Sequence, residues 1–268
     1  MKIIKQTLGS TGRIFLGYLV HVSRIVYLTK DALYWTINAP WKGKRGIRWK
    51  STIHQMVLIG FNSIPIVATI CFFVGLIMAM QAAYQLERFG ASIYVANLVG
   101  VSMTRELGPL LTAIIVAGRS GSAIAAEIGT MKVNEEIDAL KTMGFNPIRF
   151  LVVPRLLALL IVLPCLSIIA DLVGILGGFF LAVFNLNISF IRYFHQTADA
   201  LVMKDLITGL VKTFFFATII AQVGAYQGFI VEGGAEGVGK STTASVVTSI
   251  FLIIVADLIM TMIFYSTL

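Results

Sequence analysis

Five apolar stretches, each about 20 residues long or longer, divide most of this chain, and that length is enough to cross the hydrocarbon core of a bilayer. Inside lipid every backbone polar group must be satisfied within the protein, so each stretch has to be helical. The composition agrees, since 57% of residues are hydrophobic and 13% are charged, against about 25% charged in soluble domains. The sequence predicts an all-α integral membrane protein with transmembrane helices near 56–83, 93–119, 151–183, 206–230 and 243–265.

Basic residues indicate the orientation of these spans. The formal net charge is +8, but the basic residues lie beside apolar spans and do not form a nucleic-acid-binding pattern. One cluster, at 41–50, precedes the first span, and another lies between the second and third spans, at Lys132, Lys141, Arg149 and Arg155. The positive-inside rule places both in the cytoplasm. The N-terminus is then cytoplasmic, and the 184–205 loop and the C-terminus are external.

The N-terminal region shows a weaker helical pattern. Within residues 13–38, apolar side chains recur at Ile14, Tyr18, Val22, Ile25 and Val26, and charged residues lie at other positions, namely Arg13, Arg24, Lys30 and Asp31. We expect an amphipathic helix in the cytoplasmic membrane interface, and packing of that helix on the spans is compatible with the same pattern. No small-residue cleavage site follows Ile14, which argues against a signal peptide. The chain is therefore divided into an interfacial segment, 1–50, and a transmembrane domain, 51–268.

A short charged segment joins the second and third spans. Between Met131 and Asn146, Val133, Ile137 and Leu140 recur at helical spacing among charged residues, a pattern typical of an amphipathic helix. We predict a cytoplasmic coupling helix at about 132–144 that a soluble motor subunit would grip. Its contact residues would be Glu135, Glu136, Asp138 and Leu140. An ordinary polar loop is the alternative.

Two further charged residues lie in or near the second span. Arg119 and Glu127 are two helical turns apart on one face, about 12 Å along the axis, and so cannot pair with each other. We expect Arg119 to mark the cytoplasmic end of the span and Glu127 to contact the charged segment.

Small residues recur every four positions along the second span, at Ala113, Ala117, Gly121, Ala125 and Gly129. A face with so little side-chain volume allows close approach of another helix. We predict a tight helix–helix contact at Ala117, Gly121 and Ala125.

Ionisable residues occur inside the apolar spans, at Arg105, Glu106, Asp171, Lys212 and Asp257. Such groups are costly in hydrocarbon unless paired or hydrated. They either form ion pairs that hold helices in register or line a substrate path. Glu106 is too deep to reach water by itself, so a partner from another span is needed, with Lys212 or a hydrated cavity as the candidates.

Residues 234–241 match the nucleotide-binding pattern G-x-x-x-x-G-K-[ST] letter for letter. A P-loop requires a strand before it and a sheet around it, whereas here both neighbours are membrane-length apolar spans. We interpret the match as a glycine-dependent turn and expect no nucleotide or other cofactor on this chain.

Metal and disulfide sites are not indicated. His21, His54 and His195 are scattered, and Cys71 and Cys165 both lie in apolar spans, where cysteine is usually a packing residue.

The most specific signal is the run from Arg105 to Arg155, RELGPLLTAIIVAGRSGSAIAAEIGTMKVNEEIDALKTMGFNPIRFLVVPR. It resembles the hallmark region of the MlaE family of ABC-transporter permeases, and the similarity continues from about Ile53 to the C-terminus. Glu106, Lys212 and Asp257 match polar membrane positions of that family.

The resemblance implies a homodimeric permease without an ATPase domain of its own. It implies as partners a separate cytoplasmic ATPase, which would bind the ATP, and an MCE-domain lipid carrier, with phospholipid as the substrate. It places the protein in a bacterial inner membrane or, alternatively, a plastid inner envelope. An ion-coupled secondary transporter, in which Glu106 and Asp257 titrate, is the main alternative; a membrane-embedded enzyme and a scaffold have less support.

Overall fold

The computed structural model describes residues 23–36, 48–186 and 188–266. Within those residues the secondary structure is helix and turn, with no strand. Of the predicted N-terminal helix, only 23–36 is described, and it is helical. Ala32 is completely buried in the main core, so this helix packs on the bundle. The remainder of the 1–22 region and most of the basic cluster at 41–50 lie outside the described residues.

Five helical spans are long and apolar enough to cross a membrane, which confirms the predicted all-α integral membrane fold. The first to fifth spans are Trp49–Phe89, Ser92–Val133, Ile148–Phe184, Met203–Phe229 and Gly234–Ser266. They are longer than the apolar stretches because polar helical turns continue beyond the hydrocarbon region. The second span runs well past Arg119, and the fifth begins nine positions before residue 243.

The first span is interrupted near its cytoplasmic end. A helix at Trp49–Ile59 is followed by Gly60, a 3₁₀ turn at Phe61–Ser63 and a second helix at Ile64–Leu86. Pro65 lies in the first turn of that second helix, where backbone N–H groups have no partner within the helix, so its lack of an N–H group costs no hydrogen bond. The proline therefore helps to start the membrane-crossing helix.

The second span is assembled from α-helical segments, Val95–Ser102, Gly108–Val116 and Ser122–Val133, joined by two π-helical segments. The π-helical segments are Met103–Leu107 and Ala117–Gly121. The first contains Arg105 and Glu106, and the second contains Arg119. Such insertions are frequent at functional sites, and here they coincide with the charged residues of the span.

The third span consists of a π-helical turn, Ile148–Val152, and a long helix, Val153–Phe184, that is continuous through Pro164. It packs against the first span, with backbone meeting backbone. A Cβ at Gly75 would collide with the carbonyl of Gly174, and a Cβ at Gly177 would collide with the carbonyl of Phe72. Only glycine permits this approach. An external connecting helix, Phe190–Ala200, then leads to the fourth span.

The small-residue ladder of the second span faces the fourth span. Ala117, Gly121 and Ala125 are all buried. A Cβ at Gly121 would lie 3.4 Å from Ile220 Cγ2, and one at Gly224 would lie 3.0 Å from the carbonyl oxygen of Gly121. The two helices therefore contact each other along this ladder. Close van der Waals packing has to stabilise their association, because the hydrophobic effect does not drive helices together in lipid.

Gly121→Leu should therefore destabilise the bundle. A leucine side chain would have to displace Ile220, and overpacking of this kind costs about 1–3 kcal/mol. The measurement is the unfolding temperature of the purified protein in detergent. Gly118→Leu is the matched control, because a Cβ at Gly118 meets nothing within 4 Å. Equal unfolding temperatures for the two variants would contradict the assigned contact.

Candidate functional sites: an intramembrane ion cluster and a cytoplasmic loop helix

A buried lysine joins the second, fourth and fifth spans. Lys212 is only 1% exposed. Its ammonium group forms an ion pair with Glu106, lies 2.9 Å from Asp257 Oδ1 and donates a hydrogen bond of 2.7 Å to Thr261 Oγ1. The Thr261 hydroxyl in turn donates to Glu106 at 3.1 Å. Three of the five ionisable residues predicted inside the apolar spans, Glu106, Lys212 and Asp257, therefore lie together.

Thr261 completes the cluster and was not identified from sequence. It lies four positions after Asp257 and so on the same face of the fifth helix. That spacing was a usable signal, but a threonine in an apolar helix is ordinarily a neutral residue that bonds to its own backbone.

Arg105 does not belong to this cluster. It points away from its sequence neighbour and lies 3.7 Å from Asp205 Oδ1, near the external start of the fourth span. Successive helical residues are separated by about 100° around the axis, which explains the different partners. Arg105 and Asp205 thus form a charge pair that is separate from the Lys212 cluster.

The cluster lies in the middle part of the membrane. Glu106 comes 14 positions after Ser92, about 21 Å at 1.5 Å per residue. Lys212 comes nine positions after Met203, about 14 Å. The side chain of Glu106 is 32% exposed and that of Asp257 is 15% exposed. One carboxylate is therefore accessible at the edge of a buried ion cluster.

Asp171 of the third span lies apart from these residues. It is buried, and its Oδ1 atom has no hydrogen-bond partner among the described residues. It packs directly against Gly108, where a Cβ would collide with the carboxyl group.

A separate helix is present within the segment predicted as a coupling helix at about 132–144, but it is shorter than that segment. The second span ends at Val133, and a separate loop helix spans Glu136–Thr142. Glu135 between them has φ of 59°, a left-handed conformation that stops an α-helix. The break has a packing cause: it turns Ile137 and Leu140 into the core, while Val133 stays exposed.

The end of the loop helix is defined by a glycine. Gly144 has φ of 78°, and the N–H groups of Gly144 and Phe145 donate to the carbonyls of Lys141 and Leu140 at 2.9 Å. This is the usual glycine-terminated helix end. Asn146 Oδ1 then accepts from the N–H of Ile148 at 2.9 Å, which caps the start of the third span.

The acidic residues of the loop helix have different environments. Asp138 lies 2.7 Å from Lys141 Nζ and 3.2 Å from Lys132 Nζ. The hydrogen bond from Lys141, followed by that from Lys132, lowers the pKa of this carboxyl group, so it remains ionised at neutral pH. Glu135 and Glu136 are exposed. Of the predicted docking residues, these two are available to a partner, whereas Leu140 is buried and anchors the helix.

A groove of about 670 Å³ lies beneath the loop helix. Apolar residues from three elements line it, Leu28, Ile137, Phe145 and Phe229, together with Lys132 and Lys141. The cytoplasmic surface around the loop helix is therefore concave and carries both acidic and basic groups.

Glu127 contacts the third span and not the charged segment, contrary to expectation. Its carboxylate lies 2.5 Å from Arg155 Nη2, and Arg155 is 7% exposed. The second span continues as a helix at this level, so its side chains meet the start of the neighbouring span.

The P-loop-like match lies inside a helix. Residues 234–241 form the first two turns of the fifth span. The chain turns into this helix at Gly233 and at Gly234, the first helical residue, which have φ of 86° and 70°. Lys240 pairs with Glu236 at 2.7 Å, one turn away, and Ser241 donates to the carbonyl of Gln227 at 2.5 Å. The glycine requirement therefore applies to the turn, while the rest of the match is helical.

Among the described residues no three His, Cys, Asp or Glu side chains are grouped as metal ligands would be. Cys71 is buried and Cys165 is exposed, and neither forms a disulfide. His21 lies outside the described residues.

The geometry of the ion cluster predicts an order of stabilities. Lys212→Met should lower the free energy of unfolding most among single changes, by about 3–5 kcal/mol, because it leaves two carboxylates facing each other. Glu106→Gln should cost clearly less, since Lys212 keeps Asp257. Thermal unfolding of the purified variants checks this order. The triple variant Lys212→Met, Glu106→Gln, Asp257→Asn should recover part of the loss, and a Glu106→Gln protein as unstable as Lys212→Met would refute the shared-lysine arrangement.

Comparison with known proteins identifies the family. The model of the permease MlaE family matches residues 52–263. A probable ABC transporter permease of Rickettsia typhi is 44% identical over 209 residues, which cover 78% of this chain and 81% of the relative. A probable ABC transporter permease of Synechocystis is 38% identical over 79% of this chain and 80% of its own length.

A plant protein is also similar. The chloroplastic protein TRIGALACTOSYLDIACYLGLYCEROL 1 of Arabidopsis thaliana is 35% identical over 84% of this chain and 64% of its own length. The five spans and the bacterial permease relatives place the protein in a bacterial inner membrane as a multi-pass protein. The chain belongs to the MlaE family of ABC-transporter permeases.

Proposed function

We propose that this permease is the membrane subunit of an ATP-driven phospholipid transporter. In this proposal two copies form a homodimer, a separate cytoplasmic ATPase binds and hydrolyses ATP, and an MCE-domain protein carries lipid on the external side. Family membership supports the transport role, and the plant relative is named after a galactolipid, which supports a lipid substrate.

The observation that carries the proposal is the form of the loop helix. Its first residue, Glu136, and the preceding residue, Glu135, face the cytoplasm, while Ile137 and Leu140 hold the helix in the core. An ATPase that grips the acidic side would push directly on buried side chains. Lys132, at the end of the second span, is bonded to Asp138, so motion of the loop helix would pass into that span.

The moving parts follow from these contacts. The loop helix is joined to the start of the third span by a short connection that contains Gly144 and Asn146, and the second span ends just before the loop helix. Closure of the ATPase would therefore displace the cytoplasmic ends of the second and third spans together. The exposed side of Glu106, deeper in the second span, would form part of the lipid path.

Double charge reversal on the loop helix tests the docking surface. Glu135→Lys with Glu136→Lys should abolish or strongly weaken co-purification of the ATPase, because the change inverts the charge of the proposed docking surface, while membrane insertion stays intact. Glu87→Lys, an exposed acid at the opposite end of the first span, is the matched control and should retain the ATPase. Undiminished association of the double variant would remove this surface from the interface.

Lys240→Ala tests whether the P-loop-like match has a nucleotide role. The ATPase rate of the assembled complex should stay within a few-fold of the parent, because Lys240 lies in a helix and is paired with Glu236. Complete loss of ATP binding through this single change would show that the chain does hold nucleotide.

The energy source separates the proposal from ion-coupled transport by Glu106 and Asp257. In proteoliposomes containing the complex, lipid movement should require ATP and persist when a protonophore collapses the proton gradient. Movement that follows the gradient and ignores ATP would favour the ion-coupled alternative.

A further inference from the structure

Arg119 lies at the cytoplasmic surface of the membrane. It comes 27 positions after Ser92, about 40 Å along the helix, whereas the hydrocarbon core is about 30 Å thick and the headgroup layers bring the bilayer to about 40–45 Å. The first span gives the same level independently, since Arg119 Nη1 donates to Ser63 Oγ at 2.7 Å and Ser63 directly precedes the membrane-crossing helix Ile64–Leu86.

Arg119, which is exposed, also differs from three less exposed basic residues of the spans. Arg105, Arg155 and Lys212 each lie within 4 Å of a carboxylate. No carboxylate of the described residues lies that close to Arg119. Its hydrogen bonds to the described residues use one nitrogen, Nη1, and go to neutral oxygens of Ser63 and Leu58. A guanidinium has five N–H donors, so most of its donors and its whole charge remain available.

The side chain borders a small cavity of about 150 Å³ between the first and second spans. Gln55 and Ser120 line it with Arg119, and Leu58 forms part of the apolar wall. Ser120 is 5% exposed, and its hydroxyl makes no hydrogen bond to the described residues. Glu127 lies at the border as well, but its carboxylate is bonded to Arg155. The cavity thus offers a cation, a hydroxyl and an amide in one place.

The guanidinium is held in position before any ligand binds. Ser63, which accepts from Arg119, is completely buried and donates to the carbonyl of Ile59 at 2.6 Å. The interruption of the first span at Gly60 places Ser63 there. A fixed, planar guanidinium at headgroup depth matches a phosphate, which it can bind through two parallel hydrogen bonds.

We propose that Arg119, Ser120 and Gln55 form a binding site for the phosphate group of a membrane lipid at the cytoplasmic surface. The phosphate occupies the cavity, and the acyl chains extend into the membrane past the apolar wall. The site deepens the proposed function by giving the lipid path a cytoplasmic end. Its role in transport rests on that function, whereas the binding of phosphate does not.

Native mass spectrometry of the purified full chain tests the site without ATP or an ATPase. Titration with dioleoyl phosphatidate should give one retained lipid per chain, and dioleoylglycerol, which has the same chains without the phosphate, should not be retained. Arg119→Gln should need about tenfold more phosphatidate for half-occupancy, as expected for loss of a charge-assisted hydrogen bond. Arg88→Gln is the control, because Arg88 is exposed at the external end of the first span and contacts Tyr84.

Equal phosphatidate retention by the parent and Arg119→Gln would overturn the site and identify Arg119 as an arginine that only extends to the interface. Equal retention of dioleoylglycerol would overturn phosphate recognition. Displacement of the lipid by equimolar inorganic phosphate would show a site for a free anion and not for a headgroup.

Ser120→Ala provides a second test should Arg119→Gln fail to fold: reduced retention supports the site and unchanged retention overturns it. Loss of the site in a complex that still moves lipid with ATP would leave the proposed function standing.

Discussion

One buried lysine constrains the arrangement of three helices. A charge at mid-membrane is tolerated only when it is paired or hydrated, so Lys212 can be accommodated only where the second and fifth spans bring Glu106 and Asp257 to it. Thr261 supplies a further oxygen for the ammonium group. Rotation of any of the three helices, or a shift along its axis, would separate these groups. The ion cluster therefore sets both the rotation and the relative height of three of the five spans.

Small residues provide the remaining contacts. Gly75 and Gly177 allow the first and third spans to touch along their backbones, and Gly121 and Gly224 do the same for the second and fourth. Close packing replaces the hydrophobic effect, which cannot drive helix association in lipid. The bundle is thus joined by ion pairs near the membrane centre and by glycine contacts along the helices. Its cytoplasmic end extends beyond the membrane as a helical platform, which consists of Ser122–Val133 of the second span and the start of the third span.

That platform connects the membrane part to the loop helix. Glu127 and Arg155 join the second span to the third, and Lys132 joins the second span to the loop helix through Asp138. Arg119 lies at the base of the platform, where the first span is interrupted. Its uncompensated charge next to a cavity suits recognition of a lipid, while the platform above suits transmission of force. Lipid contact and partner contact therefore occupy successive levels of the same helix.

The sequence by itself determined the number of spans, their helical state and the family, because a bilayer permits only one backbone solution for a long apolar stretch and because the run from Arg105 to Arg155 is so specific. It also indicated which residues need partners. It did not determine that Lys212 serves two carboxylates, that Arg105 turns to Asp205, or that Glu127 meets Arg155, since such pairings depend on the relative rotation and height of helices far apart in the chain. The break at Glu135 and the early start of the fifth helix at Gly234 were likewise decided by tertiary structure. Ile137 and Leu140 reach the core only if the chain turns at Glu135. At Gly234 the residues are polar and show no hydrophobic periodicity, so the sequence pattern does not distinguish a loop from two additional helical turns.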